Sequence, residues 1–289
     1  MPNLVRLVLP ALLLLLAVSP SAEQDCIGFA EALLRIGDYE GAVTEFERFI
    51  FMNPASDSVS FAEYRIAEAY RDLKQWHKSI TALNRSIRAE RNDSLRTERE
   101  ILLAVVTAAR GDFDLAEFRL VRIEVYARYP TLRRKAAFFR GVCCVYQARW
   151  ADARRALRTA FTDSSGLDEF YHLREELDSL TLAAGLRARK DPDVAKWLST
   201  FLPGSGQFYA GDWRNGLNAL AVNSATGYFL VDNIIEQDWG DAVLTYLFLF
   251  GRYYFGNRYH AAESAREYNR QMDKESAERI LELLDGRGR

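Results

Sequence analysis

Four aromatic residues, Tyr39, Trp76, Phe113 and Trp150, stand 37 residues apart. The same interval carries Ala42, Ser79, Ala116 and Ala153, then Phe46, Leu83, Leu120 and Leu157, and a second small column of Ala30, Ala67, Ala104 and Gly141. Columns in register over four copies mark a repeat array, in which each unit buries its apolar face only against its neighbours. Each copy reads as a helix, a short break and a second helix. The breaks Gly37-Asp38-Tyr39 and Gly111-Asp112-Phe113 place a glycine where a helix ends in left-handed backbone and an aspartate where the next helix needs a cap. Copies two and four have Lys74 and Ala148 instead of glycine, so their turns are expected to close differently. The aromatic column is expected to be mostly buried, with the small column at the helix crossings.

These residues resemble the tetratricopeptide repeat. Copy one reads Phe29-Ala30-x2-Leu33, Gly37, Tyr39, Ala42-x3-Phe46, with Pro54 at the family's distance; copy two reads Ile66-Ala67-x2-Tyr70, Trp76, Ser79-x3-Leu83. The resemblance covers residues 23–165. It implies an all-α, right-handed helical-repeat solenoid of four helix pairs whose first helices line a concave, protein-binding face. In register, that face takes Phe61, Tyr64, Glu68 and Arg71 from copy two, Glu98, Ile101 and Val105 from copy three, and Phe138, Val142 and Tyr146 from copy four. An amphipathic helix or extended peptide suits this surface better than a highly charged tail.

Charge and cysteine content narrow the classes. A formal net charge of −2 gives no sign of nucleic acid as the main partner. Arg133-Arg134-Lys135 reads as a solvated helix start rather than a phosphate site. The N-terminus reads as a secretory leader over residues 1–22: Arg6, the apolar run Leu7–Val18, then Ser19-Pro20-Ser21-Ala22 before Glu23. An uncleaved anchor is the alternative. The leader is expected to carry the repeats out of the cytoplasm, and the C-terminal resemblance given below implies the periplasmic side of a bacterial cell envelope. Cys26, Cys143 and Cys144 are an odd number for an exported chain and read as small buried apolar side chains.

Residues 166–192 read as a capping helix and linker, carrying Phe170, Leu173, Leu177, Leu180, Leu182 and Leu186 and ended by Pro192. The block over 193–262 contains Leu217–Ile235 and Ala242–Phe255, two apolar stretches flanked by Tyr209, Trp213, Trp239, Tyr253, Tyr254 and Tyr259. It is expected to form a membrane-associated hairpin with transmembrane helices; a soluble hairpin is the alternative, given Asn218, Asn223, Asp232 and Asn233. Residues 263–289 form an amphipathic C-terminal helix and tail.

The segment Pro203-Gly204-Ser205-Gly206-Gln207-Phe208-Tyr209-Ala210-Gly211 followed by Gly216, together with Arg252-Tyr-Tyr-Phe-Gly256-Asn257-x-Tyr259 and Ala265-x-x-Tyr268-Asn269, resembles the two-transmembrane-helix domain family of bacterial envelope proteins. That resemblance, over 194–270, carries no settled activity. Read alone, the glycines of Pro203, Gly204, Gly206, Gln207, Tyr209 and Gly211 permit a tight turn and close backbone approach, and no Gly-Lys-Ser/Thr follows to make a phosphate loop.

His77, His172 and His260 lie in different modules without metal-ligand spacing, and neither a nucleophile elbow nor a kinase motif set occurs. The expected function is a non-enzymatic, membrane-tethered interaction scaffold, without cofactor, metal or nucleic acid. The alternative is an accessory subunit of an envelope transport or assembly system in which the hairpin acts through Asn223, Asp232 and Arg252.

Overall fold

The computed structural model describes residues 20–162 and 168–286, and among these residues every regular element is helical. Residues 1–19 of the expected leader lie outside the described residues; Pro20 opens the first helix. The chain divides into two compact units: residues up to Gln147 with Asp152–Arg174, and Ala148–Ala151 with Glu175–Arg289.

The first unit follows the repeat. Helices α1 (Pro20–Arg35), α3 (Val59–Asp72), α5 (Asp93–Ala109) and α7 (Pro130–Tyr146) alternate with α2 (Tyr39–Met52), α4 (Trp76–Ala89), α6 (Phe113–Tyr126) and α8 (Trp150–Ala160). From α1 to α7 each helix packs on its neighbours in the chain, and α5 also meets α7. The small columns are sealed: Ala30, Ala42, Ala67, Ser79, Ala104, Ala116 and Ala153 have no exposed surface. Phe46, Leu83, Leu120 and Leu157 are buried beside them. At Gly141, an added Cβ would lie 2.7 Å from the Leu157 side chain, so α7 and α8 cross too closely there for a larger residue. At Ser79 the hydroxyl donates to the Ala67 carbonyl at 2.7 Å, which compensates its burial.

The aromatic column differs from expectation. Tyr39, Trp76, Phe113 and Trp150 are each the first residue of a helix, and the first three are only half-buried. A side chain on the opening turn covers the end of the crossing rather than its centre. Trp150, at 6 % exposed, is the buried one.

The turns before these aromatics are uniform. Gly37, Lys74, Gly111 and Ala148, again 37 residues apart, have φ of 83°, 57°, 99° and 54°. In the first three, two backbone bonds close the helix end: Asp38 N–H to Leu33 O and Gly37 N–H to Leu34 O, Gln75 to Tyr70 and Lys74 to Arg71, Asp112 to Thr107 and Gly111 to Ala108. Contrary to the sequence expectation, Lys74 and Ala148 take up the left-handed conformation that the glycines use. The strain is borne because the next helix must start on the same register to keep its small residue at the crossing.

The three cysteines form no disulfide, and Cys143 and Cys144 are buried in α7. Burial first, and then the neighbouring Cys144, push the Cys143 thiol up to about 11.

Across the boundary runs α9 (Asp168–Leu186), with Leu173, Leu177, Thr181 and Ala184 as its buried row. The second unit continues with α10 (Pro192–Phe201), α11 (Ser205–Ala210), α12 (Trp213–Ile235), α13 (Trp239–Leu244), a π-helical turn (Thr245–Phe250) and α14 (Gly251–Gly286). The second arm of the hairpin therefore runs on through residue 262 without a break. Helices α10 and α11 pack on α14 around Ala195, Ala210, Ala261 and Ala265. The hairpin arms meet where the Phe250 ring approaches Gly227 to 3.7 Å from an added Cβ, and where Asn233 donates to the Thr245 hydroxyl at 3.1 Å.

The expected transmembrane helices are corrected. Among the described residues, no helix is long and apolar enough to cross a membrane. Helix α12 carries Arg214, Asn218, Asn223, Asp232 and Asn233 within its length, and the apolar run of the second arm is cut by Arg252.

Replacing Lys74 by glycine removes a left-handed strained residue from an exposed turn. Lys74→Gly is expected to raise the stability of the folded chain by about 1 kcal/mol, read as a higher denaturant midpoint at unchanged slope.

Candidate functional site

In the first unit, α3, α5 and α7 line a groove of about 790 Å³. Of the residues expected on a concave face, the structure brings Phe61, Tyr64, Arg71, Glu98 and Ile101 to it, together with Val105. Leu95, Leu102 and Phe139 add apolar wall. Four expected residues, Glu68, Phe138, Val142 and Tyr146, lie apart from it. Glu68 sits behind Tyr64, accepting its hydroxyl proton at 3.0 Å. Phe138 packs edge-on against Phe139 and Phe161. Tyr146 stacks on Phe113 at 6.1 Å. Ile101 is 1 % exposed and belongs to the core of the third and fourth copies, so it is floor rather than contact surface.

One part of the groove was invisible in the sequence. Arg99, which reads as one more surface charge of α5, is 5 % exposed. Its guanidinium meets Glu90 Oε2 at 2.5 Å and the Ser60 hydroxyl at 2.6 Å, and it lies 5.6 Å from the centre of the Tyr64 ring. Ser60 donates to the same Glu90 oxygen at 2.6 Å, and the Asn92 N–H donates to the other at 2.8 Å. Burial opposes the charge on Glu90, but the Ser60 hydroxyl, the Asn92 N–H and Arg99 outweigh it and hold the carboxyl below its ordinary value. Tyr64 moves the other way: burial and then Glu68 raise its hydroxyl to about 12, so it stays a neutral donor.

The groove's remaining charges are also paired: Lys135 with Glu98 at 3.6 Å, Arg71 with Asp72 at 2.9 Å, and Asp57 with Arg91 at 2.9 Å. No charged group of the lining is left to demand a counter-ion. What the groove offers is apolar: Phe61 and Leu95 are exposed at its edge above Ile101, Leu102 and Val105.

In the second unit, the Pro203–Gly211 segment is a junction. Gly204 and Gly211 bracket the six-residue α11 in left-handed conformation. A Cβ on Gly206 would lie 2.0 Å from the Ala195 carbonyl oxygen, so only glycine lets α11 close on α10. The Gly206 N–H donates to the Ser199 hydroxyl at 3.0 Å, and that hydroxyl donates to Gln207 Oε1 at 3.1 Å. Gln207, 1 % exposed, then donates to Asn257 Oδ1 on α14 at 2.6 Å. The Tyr209 hydroxyl accepts the Asp191 N–H at 3.1 Å. Pro203 stands between Leu202, where α10 ends, and this junction. The motif thus acts as an internal fastener.

The junction ends in the repeat's own turn. Asp212 N–H bonds Gln207 O and Gly211 N–H bonds Phe208 O, Asp212 caps α12 through Asn215 N–H, and Trp213 is the first helical residue. Gln237-Asp238-Trp239 repeats the arrangement before α13. The left-handed residue, cap and aromatic could have been found in the sequence, since Gly-Asp-aromatic recurs at Gly211-Asp212-Trp213.

No family model matches the chain, and no curated protein matches it. The resemblance of residues 194–270 to the two-transmembrane-helix family is therefore not upheld, since the spanning helices it implies are also missing among the described residues. Among solved structures, the chain is similar to the apo form of RapI. Identity is 12 %, the TM-score is 0.47, and the match covers 85 % of this chain and 75 % of that one. A likeness at that level carries no argument about what this chain binds.

Two outcomes test the geometry. Glu90→Gln leaves the Arg99 charge buried without its counter-ion and is expected to cost about 3 kcal/mol in denaturant unfolding. Because the folded-state Glu90 lies below its unfolded value, its contribution is complete above the unfolded value. It is lost as pH falls through the folded one, so the variant is expected to show a shallower acid dependence of stability than the parent. Gly206→Ala is expected to separate α11 from α10 and to lower the melting temperature of the second unit, whereas Gly240→Ala, with 3.7 Å to its nearest neighbour, is expected to be tolerated.

Proposed function

We propose that this chain is a non-enzymatic protein-interaction scaffold whose repeat groove holds an amphipathic helix or extended peptide of a protein partner. The observation that carries the reading is the groove lined by α3, α5 and α7. Its charged groups are paired within its own walls, and its exposed edge is apolar. Such a surface rewards apolar anchors at helical or extended spacing and gives a highly charged ligand little to hold.

We further propose that the scaffold is exported by its N-terminal leader to the bacterial cell envelope, with the repeats on the periplasmic side. There the hairpin rests against a membrane by its outer face, without a spanning helix. Phe229, Val231, Ile235, Leu247, Phe248 and Phe255 are between 55 % and 73 % exposed, while Asn223, Thr226 and Asn257 are turned inward. Exposed apolar surface on this scale supports an apolar surround, and Trp239 at the turn suits the interfacial layer. A second reading, an accessory subunit of a transport or assembly system in which the hairpin acts, is favoured by the same inward polar groups.

Crosslinking in membranes, followed by identification of captured proteins, tests the scaffold. Phe61→Asp with Leu95→Asp is expected to abolish capture without changing the thermal melt, since both side chains are exposed. Unaltered capture would move binding away from the groove. In vesicle flotation at high salt, Phe229→Glu with Phe248→Glu is expected to leave the chain in the unbound fraction while the parent floats. A parent that stays unbound would remove the membrane from the proposal.

A further inference from the structure

A second cavity, about 780 Å³, lies between α12 and α14 in the second unit, with Gln207 of the fastener in its lining. Its volume falls within the roughly 300–1,000 Å³ of small-molecule sites. Two of its lining residues are buried amides with one unmet atom each. Asn223, 5 % exposed, donates from Nδ2 to the Ala219 carbonyl at 2.7 Å, but its Oδ1 has no partner. Asn257, also 5 % exposed, receives the Gln207 donor on Oδ1, but its Nδ2 has none. Neither helix needs these atoms for its own bonding. Unmet buried polar atoms are costly, and two among the residues of one cavity call for partners there.

The rest of the lining defines that partner. The carboxylates are occupied. Asp212 caps α12 and accepts from the Ser264 hydroxyl at 3.0 Å, while Glu263 and Glu267 are held by Arg270 at 2.7 and 2.6 Å. With these three carboxylates set against the Arg252 and Arg270 guanidiniums, the lining carries little net charge and selects neither an anion nor a cation. A neutral ligand fits that balance. The unmet atoms ask for a ligand that donates to Asn223 Oδ1 and accepts from Asn257 Nδ2, and hydroxyl groups do both. Further groups at the rim, the Asn218 amide and the Arg252 guanidinium, can meet neighbouring hydroxyls. Tyr253, 45 % exposed, presents a flat ring beside the small residues Ala219 and Gly256, a wall suited to the C–H face of a pyranose. We infer that this cavity binds a saccharide through Asn223 and Asn257, with Tyr253 as its stacking face. A free sugar and a sugar borne on a lipid share this chemistry.

Saturation-transfer NMR on the full chain in dodecylphosphocholine, a detergent without a sugar head, tests the inference, with maltose and dodecyl maltoside as probes. Transfer to sugar-ring protons is expected. With free maltose it identifies a soluble saccharide; with dodecyl maltoside alone it identifies a lipid-borne one. Asn223→Leu and Tyr253→Ala are each expected to weaken the sugar signal about tenfold in affinity. The first removes an unmet atom and the second touches no bond of the fastener, so circular dichroism is expected to be unchanged for both. Absence of ring transfer from both probes would overturn the inference, leaving water as the partner of the two amides. So would transfer confined to the alkyl chain, or affinity unchanged in both variants.

Discussion

The left-handed residue that ends a helix and sets the start of the next is the constraint on which the first unit rests. It fixes where the following helix begins, and therefore which residue lands at the crossing three positions later: Ala42, Ser79, Ala116 or Ala153. Because those crossings have no spare room, an error of one residue in the turn would drive a large side chain into each. That explains why Lys74 and Ala148 hold a conformation costing roughly 1–2 kcal/mol in place of glycine. The packing lost by a different turn would exceed the strain. The second unit uses the same device at Gly211 and Gln237, so one backbone solution organises helix ends in both.

The repeat was legible because packing in a solenoid is local in sequence. A small residue at a fixed interval is both a sequence signal and a crossing. Two kinds of feature were not legible. The left-handed column at Lys74 and Ala148 has no residue signature, since only the surrounding packing imposes it. The bonds between Gln207 and Asn257, or among Ser60, Glu90 and Arg99, join residues whose separations follow no period. Arg99 in particular sits among the charges of α5 and differs from them only in having Glu90 opposite. The groove was read from the sequence as to its elements and fewer than half of its lining residues: Phe61, Tyr64, Arg71, Glu98, Ile101 and Val105. Glu68, Phe138, Val142 and Tyr146 lie outside it, Phe138 and Tyr146 against other rings and Glu68 bonded to the Tyr64 hydroxyl.

The second unit inverts the usual distribution of polarity. Around the Pro203–Gly211 junction the central contacts are made by alanine, glycine and amide side chains, while many bulky residues of the hairpin, Phe229, Leu247, Phe248 and Phe255 among them, face outward. Length and apolar content were misleading as evidence for a crossing, because polar residues interrupt α12 along its length: Asn223 is turned inward, and Asn233 bonds Thr245 of the other arm. The Pro203–Gly211 segment, which looked like a turn leading into a hairpin, instead joins α11 to α10 through the close approach at Gly206 and to α14 through the buried Gln207.

Helix α14 runs for 36 residues from the hairpin to Gly286, about 54 Å at helical rise. Some twenty residues along it, Asn269 exchanges two hydrogen bonds with the backbone of Lys190, and Asp273 takes the Arg189 guanidinium and the Trp150 indole. The helix is thus a spacer of fixed length. It holds the connector over Arg189 and Lys190 about 30 Å from the arm's apolar start. A rod of this kind cannot shorten without breaking its own backbone bonds. Whatever surrounds the hairpin is therefore kept at a set distance from Arg189 and Lys190 within this unit.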